Sequence, residues 1–130
     1  MANANKAKGD RAERAVRDYV TERYPGSFKT RAGFNDDLGD VLVGHTGGIV
    51  VLQVKDVAAP AWSAWFKQLA EQVGNCVSHV RGTNRVLGGA VVHKARGTAD
   101  ASAWRAVLTL GQLIDLVDAA YAAGHDDAVR

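Results

Sequence analysis

The spacing of hydrophobic residues changes several times along the chain, and these changes divide it into helices and strands. Apolar residues recur every three or four positions over 9–24, 61–81 and 109–121, which predicts three amphipathic helices. Shorter apolar or alternating runs predict strands at 27–31, at 85–94, at 104–108 and, as a two-stranded hairpin, within 39–55. The predicted order is αβββαββα, so the expected fold class is α/β, with a central mixed sheet flanked by helices.

The first two predicted helices each have an apolar stripe that we expect to face the core. In the first helix the stripe is Ala12, Val16, Tyr19, Val20 and Tyr24. In the second helix it is Trp62, Trp65, Phe66, Leu69, Val73, Cys76, Val77 and Val80. Gly9 falls on the face of the first stripe, where its missing side chain permits close approach of another group.

The predicted hairpin contains polar residues on an otherwise apolar element. Gln53 and Lys55 share one face of its second strand, and the alternate residues on the other face are aliphatic. A tight turn at residues 46–47 sets Asp40 opposite Gln53, with Cβ atoms about 5 Å apart. A carboxylate, an amide and an ammonium group are therefore expected on one patch, and a one-residue slip in register would separate them.

Length and composition are those of a soluble globular protein. The 130 residues suffice for one domain with a core; we assign residues 9–130 to it and residues 1–8 to a flexible basic N-terminus. No apolar run is long enough for a membrane span or a signal peptide, so we expect a cytoplasmic location in a bacterial, archaeal or phage-infected cell. Cys76 is the only cysteine, which excludes an internal disulfide and a cysteine-rich zinc site.

Positive charge is concentrated in the first quarter of the chain. Residues 1–31 contain eight Lys and Arg residues against four acidic ones, although the net charge of the whole chain is only +2. A basic segment of this kind is typical of a surface that faces a polyanion such as a nucleic acid. A solvated helix face explains the same charge about equally well.

The strongest candidates for chemistry are Glu13, Asp40, Gln53 and Lys55. Hard divalent cations prefer oxygen ligands, and Asp40, Gln53 and the main-chain carbonyl of Val54 offer three. Glu13 joins them, directly or through water, if the first helix packs against this face. Lys55 would then lie beside the metal, where it can orient a water molecule and neutralise charge developing at phosphorus. The structural alternative is a solvent-facing strand surface, with Asp40 as a turn residue.

The order of these residues resembles the PD-(D/E)xK nuclease superfamily and, within it, the archaeal-type Holliday junction resolvases. Those proteins have a first-helix Glu that follows a Gly and precedes basic residues, a Gly-Asp or Pro-Asp at the second strand, and Glu-x-Lys at the end of the third. The corresponding stretches here are Gly9-Asp-Arg-Ala-Glu13-Arg14, Gly39-Asp40 and Gln53-Val54-Lys55. The resemblance covers roughly residues 9–81.

The resemblance implies a restriction-endonuclease-like fold and a DNA endonuclease that depends on Mg²⁺ (or Mn²⁺) and cuts Holliday junctions. Glu13, Asp40 and Gln53 would be metal ligands, and Lys55 the catalytic lysine. A homodimer would match the two-fold symmetry of a four-way junction. The departure is Gln53, where the family usually has Glu; the loss of a negative charge should weaken metal affinity.

Two other functions stay open. Other members of the superfamily carry Gln-x-Lys, so a general or restriction-like DNA nuclease of the same fold is one alternative. The second alternative is a DNA-binding module that has kept the fold and lost hydrolysis.

Residues outside the motif are expected to contact DNA or to support the site. The predicted DNA contacts are Arg11, Arg14, Arg17, Lys29, Thr30 and Arg31. Gln72 on the second helix is a candidate supporting residue, with simple exposure as the alternative. His93, Lys94 and Arg96 end a strand and could touch phosphate, and an exposed strand end explains them about equally well. Trp62, Trp65 and Phe66 are expected in the core, with a dimer interface as the alternative.

Overall fold

The computed structural model of the protein describes residues 4–29, 37–45, 47–79 and 85–129. Its helices are α1 (Ala4–Arg23), α2 (Trp62–His79) and α3 (Leu110–Val129), and a short 3-10 turn spans Ala101–Ala103. Its strands are β1 (Phe28–Lys29), β2 (Val41–His45), β3 (Gly48–Lys55), β4 (Val86–His93) and β5 (Arg105–Val107). The order αβββαββα is therefore confirmed.

The five strands form one mixed sheet in the order β1-β2-β3-β4-β5. Strands β3 and β4 are parallel, and the other neighbouring pairs are antiparallel. Helix α2 makes the crossover from β3 to β4, as a parallel connection requires. The predicted mixed sheet flanked by helices is confirmed.

Helices α1 and α2 cover opposite faces of the sheet, so the central strands are buried on both sides. On the α1 face, Ala12, Val16 and Val20 pack with sheet residues that include Val41 and Leu52. On the α2 face, the core consists of Leu38, Leu42, Val51, Trp65, Leu69, Cys76 and Val91. Because successive residues of a strand point to opposite faces, Gln53 and Lys55 lie on the α2 face.

The register of the hairpin agrees with the prediction from Val41 to His45, but Asp40, predicted to lie opposite Gln53, precedes the paired residues and contacts Leu52 and Val54 instead. Val41 pairs with Leu52, and the pairing continues to His45 opposite Gly48, so two residues of the chain separate the last paired residues. A shift by one residue would exchange the two apolar faces of β3, and both of these faces are buried. Packing on both sides of the sheet therefore fixes this register.

Helix α1 begins at Ala4, five residues before the predicted start, so that residues 4–8 are helical and not a flexible leader. Alanine and lysine favour a helix, and Lys8 forms an ion pair with Asp56. A Cβ atom at Gly9 would meet nothing within 4 Å among the described residues, so the close approach expected there is not observed.

Both predicted apolar stripes are wider than the part of each helix that packs against the sheet. Tyr19 of α1 and Val77 of α2 are about half exposed, at 47% and 58%. Each lies at the edge of its stripe, beyond the line of residues that contacts the strands. Trp65 is buried as predicted, and Trp62 and Phe66 pack half-buried beside it. Val80 lies outside the described residues.

Helix α3 lies on the same side of the sheet as α2. Its start is capped by Thr109, whose Oγ1 accepts a hydrogen bond from the N–H of Gln112. The Gln112 side chain reaches β4, where it accepts from the N–H of Gly89 and donates to the carbonyl of Leu87. These two bonds satisfy main-chain groups beside an irregularity in the β3–β4 register.

No helix in the described part of the chain is long and apolar enough to cross a membrane.

Candidate functional site

The candidate site begins at Asp40, in the residue before β2. Its N–H donates to the carbonyl of Leu52 at 2.9 Å, so the ladder becomes irregular there. Its Oδ2 accepts a 2.7 Å hydrogen bond from the N–H of Val54. The carboxylate thus takes the place of a strand carbonyl and lies on the main chain of β3, one residue from both Gln53 and Lys55.

Gly39 permits this approach. Its φ of +92° belongs to the left-handed region, which glycine adopts without strain. A Cβ atom at this position would lie 2.5 Å from Cγ1 of Val51 and 3.3 Å from the carbonyl of Leu52. Any other residue here would have to push Asp40 away from β3.

The environment of Asp40 favours its neutral form. Burial is the main cause that raises the pKa of Asp40 to about 6, against an ordinary value of 3.8. The hydrogen bond from Val54 and the charge of Lys55 oppose this rise in the pKa. The negative charges of Glu13 and Asp37 add to it, which means that both acids act on the Asp40 carboxylate.

Gln53 is completely buried, with 0% of its surface exposed. Its Nε2 donates a 3.2 Å hydrogen bond to Oε1 of Gln72, and Gln72 is itself only 2% exposed. The Oε1 atom of Gln53 is buried and has no hydrogen-bond partner among the described residues. A solvent-facing strand surface is therefore excluded as the explanation of Gln53, and simple exposure as that of Gln72.

A chain of hydrogen bonds extends from Gln53 through α2 to Lys55. Gln72 Nε2 donates to Oδ2 of Asp37 at 3.0 Å, and Gln68 Nε2 approaches the same oxygen at 3.5 Å. Gln68 Oε1 then lies 3.4 Å from Nζ of Lys55. Asp37 also accepts from the N–H of Gly39 at 3.0 Å. The network connects the start of β2, helix α2 and the end of β3.

The sequence did not single out Asp37 or Gln68 as site residues. Asp37 lies in a polar loop, where an acidic residue is ordinary. Gln68 and Gln72 are four residues apart on the flank of the α2 stripe, and a glutamine pair at this spacing beside buried residues was the available sign.

Lys55 lies at the end of β3, half-buried against aromatic rings. Its Nζ is 5.7 Å from the ring centre of Trp65. The Trp65 ring also contacts His93, with ring centres 5.5 Å apart, and His93 pairs with Lys55 across the sheet. His93 Nε2 is 2.7 Å from the carbonyl of Val57, so the histidine supports the end of β3. The charge of Lys55 also acts on Asp40, so the ammonium group lies near the Asp40 carboxylate.

Glu13 approaches from the other side of the sheet. It belongs to α1, whereas Gln53 and Lys55 lie on the α2 face, so the condition that α1 packs against their face is not met. The effect of Glu13 on the pKa of Asp40 nevertheless indicates that its charge lies near the end of β2. Asp40 is thus close both to Glu13 on the α1 side of the sheet and to Lys55 on the α2 side.

The predicted metal ligands combine carboxylates with a side-chain amide and the main-chain carbonyl of Val54. The N–H of Val54 faces Asp40, and since the N–H and C=O of a strand residue point to the same neighbour, its carbonyl faces that edge too. In the described part of the chain, no group of three or more His, Cys, Asp and Glu residues could hold a metal ion.

The structure describes four of the six residues that we predict to contact DNA. Arg11 and Arg14 are exposed on α1. Arg17 forms an ion pair with its neighbour Asp18, with Nη2 and Oδ1 2.9 Å apart, so its charge is already partly neutralised. Lys29 lies in β1. Thr30 and Arg31 lie outside the described residues.

The chain was compared with protein-family models, with curated proteins and with solved structures. The chain matches no protein-family model. It also matches no curated protein and no solved structure.

Proposed function

We propose that this chain is a metal-dependent DNA endonuclease with a restriction-endonuclease-like fold, and that it cuts branched DNA such as Holliday junctions. The observation that carries the proposal is the position of the Asp40 carboxylate on the main chain of Val54. There it lies next to Gln53 and Lys55 and under the influence of the charge of Glu13. Gln53 and Lys55 flank the Val54 main chain that Asp40 contacts, and Glu13 acts on Asp40 from the α1 side, which supports the proposal.

Two observations fit a divalent cation at this site. The Oε1 atom of Gln53 is buried without a hydrogen bond among the described residues, and a cation ligand is a role that such an oxygen suits. The Asp40 carboxylate is buried near the negative charges of Glu13 and Asp37, and a cation would relieve that repulsion. Asp40, Gln53 and the carbonyl of Val54 would hold Mg²⁺ or Mn²⁺, and Glu13 would approach the ion from the α1 side, directly or through water.

The residues of the chain supply positioning and charge for phosphodiester hydrolysis. When bound, the metal would polarise a phosphate oxygen and make a water molecule more acidic. The Lys55 ammonium, held between Gln68 and the Trp65 ring, would donate a hydrogen bond to a phosphate oxygen and offset negative charge in the transition state. Its fixed position matters because such donors contribute most when they need no reorganisation.

A second candidate function is DNA binding without hydrolysis. The hydrogen bond between Gln53 and Gln72 favours it, because it restrains the Gln53 amide in a purely structural pair. A neutral amide is also a weaker cation ligand than a carboxylate. Under this alternative the basic surfaces would still bind DNA, and added metal would have no effect on the DNA.

We further propose that the chain acts as a homodimer. Helix α3 has an apolar face that is exposed among the described residues: Leu110, Leu113, Ile114, Val117 and Tyr121. These residues recur at helical spacing and form one stripe. A second copy related by a two-fold axis would cover the stripe with an identical one, and it would give two sites for the two strands that a junction resolvase cuts.

A cleavage assay on three substrates separates the proposals. A labelled four-way junction, a linear duplex and a single strand of matching sequence are incubated with the protein and Mg²⁺, Mn²⁺ or EDTA. A junction resolvase cuts the four-way junction at paired positions and leaves the other two largely intact. A general nuclease cuts the duplex as readily, and a binding module cuts none of them.

A further inference from the structure

A groove with strong positive charge lies at the ends of β3 and β4, beyond the candidate metal site. Its volume is about 560 Å³. Its polar lining consists of Lys8, Asp56, His93, Lys94, Arg96 and Arg105, and we call it the basic groove. Among the described residues, four cationic side chains face one carboxylate there, so their positive charges exceed the negative ones by three.

Two of the cations are held in place by the one acid. Lys8 Nζ lies 3.5 Å from Oδ1 of Asp56, and Lys94 Nζ lies 3.6 Å from Oδ2. Both distances are longer than those of a strong charge-assisted hydrogen bond. Asp56 is 11% exposed, and its Oδ2 has no hydrogen bond among the described residues. A single shared carboxylate thus fixes two ammonium groups at the groove and neutralises them only in part.

The two arginines of the groove have no acidic partner in the described part of the chain. Arg96 and Arg105 are both exposed, and their guanidinium groups are therefore available for bidentate contacts with phosphate. Lys94 is further oriented by the Trp104 ring, whose centre lies 5.4 Å from Nζ. The groove therefore combines two restrained lysines with two accessible arginines.

The sheet connects the groove directly to Lys55. In the register, Lys55 pairs with His93, and His93 pairs with Arg105. The three residues form a row across β3, β4 and β5, and adjacent strands are about 4.8 Å apart, so Arg105 lies about 10 Å from Lys55 along this row. Asp56 directly follows Lys55 in the chain. A strand of DNA that has one phosphate at Lys55 would bring neighbouring phosphates over the groove.

We infer that the basic groove binds the phosphate backbone of the DNA strand that reaches Lys55. The inference rests on the proposed function for the identity of the polyanion, and, apart from Lys8, the DNA contacts that it assigns lie outside the basic first helix. Contacts with phosphate give affinity and orientation without sequence preference. The groove would therefore position the DNA strand across the ends of β3 and β4 and present one of its phosphodiester bonds to the candidate metal site at Asp40.

Binding measured without metal tests the inference. The full-length protein is titrated into a labelled four-way junction in EDTA at several KCl concentrations, with Arg96→Ala/Arg105→Ala as the test variant. Arg85→Ala is the matched control, because Arg85 is exposed at the opposite end of β4. We expect the test variant to bind severalfold more weakly and to lower the salt slope by about one per lost phosphate contact. Equal affinity and slope in the test variant and the control would overturn the inference.

A charge-conserving variant distinguishes lost contacts from altered structure. Arg96→Lys/Arg105→Lys retains both positive charges and should recover the salt slope, with an affinity between those of the alanine variant and the unaltered protein because the bidentate contacts are lost. If its salt slope is as low as that of the alanine variant, the groove does not act through its charge, and the inference is wrong. Cleavage by the unaltered protein in Mg²⁺ is scored separately: its absence contradicts the nuclease proposal, and the binding result in EDTA decides the groove.

Discussion

Gln53 and Gln72 form a hydrogen bond between β3 and α2 in the interior of the protein, with Nε2 of Gln53 donating to Oε1 of Gln72 over 3.2 Å. Both residues are almost completely buried. Two amides at this depth require partners, because an unpaired polar group in an apolar interior costs about 1–3 kcal/mol. Gln72 is satisfied by Gln53 and Asp37, whereas Gln53 keeps one oxygen without a hydrogen bond among the described residues. The oxygen without a hydrogen bond makes Gln53 a candidate metal ligand, whereas the satisfied amide of Gln72 fits a supporting residue.

The supporting role of Gln72 predicts a loss of stability when its amide is removed. Gln72→Leu would leave Nε2 of Gln53 unpaired and remove one hydrogen bond from Asp37, so we expect the free energy of unfolding to fall by about 1–3 kcal/mol. Gln68→Leu is the control, since Gln68 is more exposed and its hydrogen bonds are longer. Urea denaturation of the metal-free proteins measures both changes. Equal losses in the two variants would argue against the buried amide pair.

The candidate ligand role of Gln53 predicts a change in metal requirement. Gln53→Glu adds a second carboxylate beside Asp40 and places it against Oε1 of Gln72, so the metal-free protein should be less stable and half-maximal cleavage should need less Mg²⁺. Gln53→Ala should need more Mg²⁺ or lose activity. Cleavage rates are compared across a magnesium titration. Three superimposed curves would mean that Gln53 does not act on the metal.

The raised pKa of Asp40 predicts how the stability of the metal-free protein depends on pH. With a pKa of about 6 in the folded state against 3.8 when unfolded, the folded protein holds a proton that the unfolded chain has released between these values. Stability should therefore fall as the pH rises from about 4 to about 6, by an amount on the order of 3 kcal/mol, and then level off.

Asp40→Asn isolates this effect. The amide oxygen can still accept from the N–H of Val54, but the side chain no longer titrates. The variant should lose this part of the pH dependence and be more stable than the unaltered protein above about pH 6. Urea denaturation of both proteins across this pH range provides the measurement. The same pH dependence in both proteins would mean that Asp40 titrates at an ordinary pKa.

The exposed stripe of α3 predicts a dimer that a single charge can disrupt. A Glu at Ile114 or at Val117 would lie in the interface, so Ile114→Glu and Val117→Glu should behave as monomers in sedimentation velocity runs. Ala122→Glu adds the same charge at an exposed position of α3 off the stripe and should stay dimeric. A monomeric unaltered protein at all concentrations tested would contradict the homodimer proposal.

Local pattern explains why the fold could largely be predicted from the sequence. The glycine-containing turn and the two-residue period of β3 fix Val41 opposite Leu52, and both depend on neighbours close in the chain. Helical periodicity likewise identifies α1, α2 and α3. The ends of the helices were less certain, as the additional turn at Ala4 and the extension of α3 to Val129 illustrate, because alanine-rich polar sequence is compatible with both helix and coil.

The inner part of the site could not be predicted in the same way. Gln72 and Asp37 are 35 residues apart in the chain, and Gln53 and Gln72 are 19 apart. Each of these glutamines is typical of an exposed position when considered alone. Their burial follows from the packing of α2 on the sheet, which brings the end of β3 under the helix and encloses both amides.

Cleavage of a labelled four-way junction by Asp40→Asn tests the proposed function most directly. The unaltered protein should cut the junction in millimolar Mg²⁺ or Mn²⁺, and the variant should bind the junction with similar affinity but cut it about 100-fold more slowly or not at all. Binding is expected to persist because the basic side chains, and not the carboxylate, contact the phosphates. Cleavage by Asp40→Asn at the rate of the unaltered protein, or no cleavage by the unaltered protein with either metal, would contradict the account.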